Sequence, residues 1–202
     1  MEEIIRDILQ REAEAVQSIP VGPHFEQAVE LIHRRVHREG GKVITSGMGK
    51  AGQIGINIAT TFSSTGTPAV FLHPSEAQHG DLGVMQPHDV LLLISNSGRT
   101  REILELVDLT EKLYRDIPLI VITGNPEGEL ASLAKVVIPT GHPEEVCPLG
   151  LAPTTSTTVM TVIGDTLVVL MMRKIGFTAA DYAKRHHGGY LGEQSRKKTK
   201  HN

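Results

Sequence analysis

"DVLLLISNSGRTREILELVDLTEKLYR" (89–115) changes character at its middle. Residues 89–95 read as a strand whose centre, 90–94, is a continuous apolar run without polar alternation. Such a run fits a strand buried on both faces of a sheet, since a half-buried strand would alternate. Residues 100–115 read as a helix. Between them lies "SNSGRT" (95–100), a turn rich in hydroxyls and glycine. Strand, turn and helix in this order form the unit of a parallel α/β sheet.

The unit recurs on both sides. Upstream, "KVITS" (42–46) is a strand followed by a helix over 51–65, and "AVFLH" (69–73) is a strand followed by a loop or short helix near 75–85. Downstream, "PLIVITG" (118–124) precedes a short helix near 127–133. "KVVIPT" (135–140) is followed by a long helix over about 153–175, and 178–190 starts as helix. Two amphipathic helices, 3–16 and 24–38, open the chain. In the first, Ile4, Ile5, Ile8, Leu9 and Val16 fall near one face. The expected fold is a doubly wound α/β sheet of about five parallel strands. It divides into N-terminal helices (1–40), the main domain (41–192) and a basic, solvated and disordered tail (193–202).

Composition narrows the function. A net charge of −3 gives no electrostatic footprint for nucleic acid or an anionic membrane. The single cysteine, Cys147, rules out an intrachain disulfide and a structural zinc site built on cysteines. The N-terminus has no apolar signal core. The apolar run "VMTVIGDTLVVLMM" (159–172) is broken by Gly164 and Asp165 and reads as a buried helix. A cytoplasmic protein is expected.

Parallel sheets bind ligands at the carboxyl ends of their strands. Here those ends carry "GMGKAG", "PSEAQHGD", "SNSGRT", "NPEGE" and "GHPEEVCPLGLAPTTST". The first fits the G-x-G-x-x-G pattern, but a dinucleotide site also needs an acidic residue at the end of the second strand. His73 stands in that region, so NAD is not expected. What remains is an anion site. Gly47 and Gly49 would permit close backbone approach, Lys50 adds a cation, and Ser95, Ser97 and Thr100 offer donors at a helix N-terminus. This suits a phosphate without a base, as on a sugar phosphate. His73, Glu76 and His79 lie close in sequence and could take a zinc ion, hydrogen bonding of the loop being the simpler reading. Thr154 reads equally as a helix cap or a substrate contact.

Six segments, "SGMGKAG", "HPSEAQHGDLG", "ISNSGRTREI", "EVCPLGLAPTTSTT", "GDTLVVLMM" and "GFTAADYAKRHHGGYLG", together resemble the SIS (sugar isomerase) domain of D-arabinose 5-phosphate isomerases. The resemblance covers roughly 5–192. It implies a three-layer α/β/α sandwich on a five-stranded parallel sheet. It also implies interconversion of D-ribulose 5-phosphate and D-arabinose 5-phosphate, which supplies Kdo and lipopolysaccharide synthesis. Lys50, Glu102, Glu145 and His186 match the family's catalytic set. By that resemblance Glu145 is the candidate carbon base, and His186 is expected to open the sugar ring or relay the O1/O2 proton. Lys50 stabilises developing negative charge, and Glu102 orients Lys50 or serves as a second acid/base. Substrate contacts are expected from Ser46, Gly47, Gly49, Ser95, Ser97, Thr100, His79 and Thr154, with inhibitory zinc at His79.

An enediol mechanism requires no cofactor. The family further implies a homotetramer, with the C-terminal histidine reaching a neighbouring subunit. Arg99 stands where the family has Glu, and His187 where it has Pro. The family's longer form carries a pair of CBS domains that this chain does not include. Feedback by CMP-Kdo at the active site is therefore expected in place of control through them. The competing readings are a non-catalytic sugar-phosphate sensor and an isomerase of another sugar phosphate. On the residues alone, Glu102 also suits a helix N-terminus, Glu145 beside Glu144 suits a solvated loop, and His186 suits an exposed position.

Overall fold

The computed structural model describes residues 1–190 and 192; the expected basic tail, 193–202, lies outside the described residues. The main unit begins at β1 (Val43–Gly47), which leads into α3 (Lys50–Ser64) and β2 (Ala69–Phe71). The short α4 (Pro74–Ala77) and a 3-10 turn (Asp81–Val84) lead to β3 (Val90–Ile94) and α5 (Arg101–Leu113). Then come β4 (Leu119–Thr123), the short α6 (Glu129–Ser132), β5 (Val136–Pro139), α7 (Thr155–Lys174) and α8 (Ala179–Ala183). The five strands form one parallel sheet in the order β2-β1-β3-β4-β5. This is the fold expected from the unbroken apolar runs.

The side chains of β3 explain why those runs had no alternation. Val90, Leu92 and Ile94 pack into one core with Ile54, Ile58 and Phe62 of α3 and Ile163 and Leu167 of α7. Leu91 and Leu93 pack into a second core with Ile103, Leu106 and Val107 of α5. Both faces of the strand are covered, so every position is apolar. The helix α7 is long and apolar enough to cross a membrane by length and composition. Here it is a core helix, with Val159, Met160, Ile163, Leu167, Val168 and Met171 buried and Asp165 exposed.

The N-terminal helices differ from expectation in two ways. The first, α1 (Glu2–Gln17), forms as a helix but buries none of its residues. Ile4 is 60% and Leu9 63% exposed, so the N-terminal part of its expected apolar face is not covered by this chain, while Val16 is half-buried. The second, α2 (Pro23–Ile32), stops short of 38 and widens into a π-helical segment, His33–Arg38. That segment brings Arg35 to the carbonyls of Asp89 and Pro87, and His37 to Thr67 Oγ1 at 3.1 Å. These tertiary bonds outweigh continuation of the regular helix.

Candidate functional site

The strand order reverses between β1 and β3. The helix after β1 returns on one face of the sheet and the helix after β3 on the other. The two connecting loops therefore part and leave a crevice. It is a cleft of about 1040 Å³. Met48 and Lys50 form one side, and Ser95, Ser97, Arg99 and Thr100 the other. Gly124 and Asn125 follow from β4, His142, Glu144 and Glu145 come from the loop after β5, and Ser156 and Thr157 from α7.

Glycines shape the first loop. A Cβ on Gly47 would stand 2.7 Å from the backbone carbon and oxygen of Ala51. Its missing side chain lets α3 start directly against β1. Gly49 caps α3 with φ of 58°, a left-handed conformation that glycine adopts without strain. Lys50 follows as the first helical residue and is exposed on the cleft. Ser46 is fully buried and donates its Oγ hydrogen to the Leu72 carbonyl at 2.6 Å, so it ties β1 to the end of β2 rather than facing the cleft.

In the second loop, the hydroxyls of Ser95 and Thr100 are paired at 2.9 Å, and Ser97 Oγ accepts the Arg99 backbone N–H at 3.2 Å. Asn125 Nδ2 donates to the Ser97 carbonyl at 3.2 Å and braces the turn from β4. The N-terminus of α5 stands behind it.

Glu145 has the densest set of contacts in the cleft. Its Oε2 accepts the Thr154 N–H at 2.7 Å, the Thr154 hydroxyl at 2.9 Å and the Ser156 N–H at 3.3 Å, while Oε1 accepts the Ser156 hydroxyl. Partial burial works to raise the carboxyl pKa. The hydrogen bonds from Ser156 and Thr154 outweigh it, and the net shift is downward. Thr154 occupies the cap position of α7 but makes no side-chain cap bond of its own. The carboxylate of Glu145, nine residues upstream, satisfies those N–H groups instead. The Thr154 hydroxyl is thus committed to Glu145.

Other expected site residues lie outside this cleft. Glu102 sits in the first turn of α5 and does not line the cavity. His186 stacks on Tyr182, ring centroids 3.7 Å apart and nearly parallel at 5°, with Nδ1 at 3.1 Å from the Tyr182 carbonyl. His79 is exposed elsewhere. Among the described residues, no group of three or more His, Cys, Asp or Glu converges as a metal site. The zinc grouping suggested by His73, Glu76 and His79 is therefore corrected: His73 Nδ1 accepts the Ser75 N–H and caps α4.

His142 went unnoticed in the sequence, although it lines the cleft. It is the one non-glycine residue with positive φ among the described residues, at 54°. "GHP" (141–143) carried no signal beyond its glycine and proline. Asn96, Asn125, Ser156 and Thr157 were missed for a simpler reason: polar residues near strand and helix ends are common, and only the fold shows which face the cleft.

Residues 37–170 match the family model described as the SIS domain. A curated relative from Yersinia pestis, named arabinose 5-phosphate isomerase KdsD, is 46% identical over 191 residues, 94% of this chain and 56% of that protein. The protein of the same name from Escherichia coli strain K12 is 51% identical over 154 residues, 76% of this chain and 46% of its own length. The chain thus spans about half the length of these curated relatives. A solved structure from Bacteroides fragilis, described as a candidate phosphosugar isomerase involved in capsule formation, is 64% identical with a TM-score of 0.93. The match covers 94% of this chain and 99% of that one. A protein of E. coli CFT073, solved in complex with arabinose 5-phosphate, is 35% identical with a TM-score of 0.84, covering 91% and 96% of the two chains.

Proposed function

The chain belongs to the SIS-domain family, and from that premise we propose that it is an aldose–ketose isomerase interconverting D-ribulose 5-phosphate and D-arabinose 5-phosphate. The names of the curated relatives and the arabinose 5-phosphate complex of the E. coli neighbour support this substrate. The observation that carries the reading is the cleft at the β1/β3 switch point. A cation, a run of hydroxyls and a carboxylate meet there in a volume that holds a sugar phosphate.

In this reading the hydroxyls of Ser95, Ser97 and Thr100, with the N-terminus of α5, take the phosphate. Lys50 stabilises the enediolate oxygen. Glu145 moves the proton between C1 and C2. Its hydrogen bonds keep it ionised, the state a base requires, while lowering its basicity. Glu102 orients Lys50 or acts as a second acid/base. His186 stands away from its own cleft, so ring opening or the oxygen proton relay falls to the His186 of a neighbouring copy in a homotetramer. The product supplies Kdo for lipopolysaccharide or capsule in the cytoplasm, and CMP-Kdo is a feedback inhibitor at the same cleft.

The test is purified protein with D-ribulose 5-phosphate in deuterated water containing EDTA, followed by NMR. Arabinose 5-phosphate with solvent deuterium at C2 is the expected product. Saturable binding without turnover would replace the isomerase with a sensor. Absence of both would move the substrate to a hexulose or heptose phosphate.

A further inference from the structure

Although α1 buries none of its residues, two adjacent side chains near its C-terminal end reach the loop that carries Glu145. Arg11 Nη2 donates to the Glu145 carbonyl oxygen at 3.2 Å. The other end of the same peptide group, the Val146 N–H, donates to Thr155 Oγ1 at 3.0 Å. The Thr155 hydroxyl donates in turn to Glu12 Oε1 at 2.9 Å. The peptide joining Glu145 to Val146 is therefore gripped at its oxygen by Arg11 directly and at its nitrogen by Glu12 through Thr155.

Glu12 is held there at a cost. Its Oε2 is buried and has no hydrogen-bond partner among the described residues. A buried acceptor left unpaired is destabilising, and an apolar side chain at this helix–helix contact would avoid that cost. The arrangement is explained if the carboxylate is needed as the end of the relay to Val146.

We propose that Arg11 and Glu12 are positioning residues for the reaction. By fixing both polar ends of the 145–146 peptide, they set the direction in which the Glu145 side chain leaves the backbone. That direction lets its carboxylate lie across the first turn of α7 while facing the cleft. The N-terminal helix thus belongs to the catalytic apparatus of the SIS domain, through two residues that touch no substrate. The kinetic part of this inference rests on the isomerase reading; the structural part does not.

The experiment uses the full chain with Glu12→Ala, Glu12→Gln and Arg11→Met. Two quantities are read: steady-state kinetics on D-ribulose 5-phosphate, and hydrogen exchange of the Val146 amide by NMR. A displaced general base loses rate more than binding. Glu12→Ala and Arg11→Met should therefore lower kcat by about tenfold or more, with KM within about twofold. Glu12→Gln keeps an acceptor for Thr155 and should recover most of kcat. In Glu12→Ala the Val146 amide should exchange about tenfold faster, with core amides of β3 and β4 unchanged. Wild-type kcat in Glu12→Ala would overturn the proposal, as would a fall that Glu12→Gln does not recover or unchanged exchange at Val146. If the wild-type protein turns over no sugar phosphate, the isomerase reading falls and the Val146 exchange alone decides whether the clamp exists.

Discussion

His142 concentrates backbone strain in a single residue on the wall of the cleft. A left-handed backbone costs an L-residue roughly 1–2 kcal/mol, and His142 bears that cost on the cleft wall. His142→Gly would relieve it, offset in part by the entropy that glycine adds to the unfolded chain. A net stabilisation of roughly 0.5 kcal/mol is expected. If the imidazole serves the reaction, the same variant should lower kcat/KM by about tenfold. Thermal unfolding and steady-state kinetics on one preparation check both. A variant both less stable and fully active would show that the ring is there for the fold.

Two junctions between elements govern the cleft. At the first, β1 runs into α3 with no room beside Gly47. Gly47→Ala would drive a methyl group into the Ala51 backbone, which cannot move aside as a side chain can. A loss of about 2 kcal/mol or more is expected in denaturant unfolding. At the second, the Glu145 carboxylate caps α7. Its pKa is lowered in the folded protein. Its stabilising contribution is therefore complete above the ordinary value of 4.5 and disappears as pH falls through the lowered folded value. Denaturant unfolding at neutral pH and well below pH 4.5 should show this loss in the wild-type protein, with the corresponding component absent from Glu145→Gln. An equal pH dependence in the two would mean that the capping bonds do not hold in solution.

At the scale of the molecule, the isolated chain leaves two things unfinished. Ile4, Ile5, Ile8 and Leu9 form an uncovered face on α1, and His186 stands outside the cleft of its own chain. Both fit an assembly in which copies cover one another and exchange the histidine. Complementation tests this. Lys50→Ala and His186→Ala should each be inactive alone. Unfolded together and refolded, they should regain activity, because some clefts then receive an intact Lys50 from one chain and an intact His186 from another. No recovery in mixtures shown to be hetero-oligomeric would confine the reaction to the single chain.

The sequence by itself determined the sheet, since runs such as 90–94 can be apolar at every position only if both faces are covered. It also located one wall of the cleft, because a strand end, a hydroxyl-rich turn and a helix start are local features. Ser95, Ser97, Thr100 and Lys50 were readable for that reason. What depends on long-range contacts was not readable. Ser46 and Gly47 sit at the right strand end, yet their burial against Leu72 and Ala51 could be seen only in the folded chain. Glu145 as the cap of α7, and Arg11 and Glu12 as its supports, join residues that no local periodicity connects. Tertiary structure alone decided these, because a hydrogen bond depends on positions in space and a pattern along the chain records only neighbours.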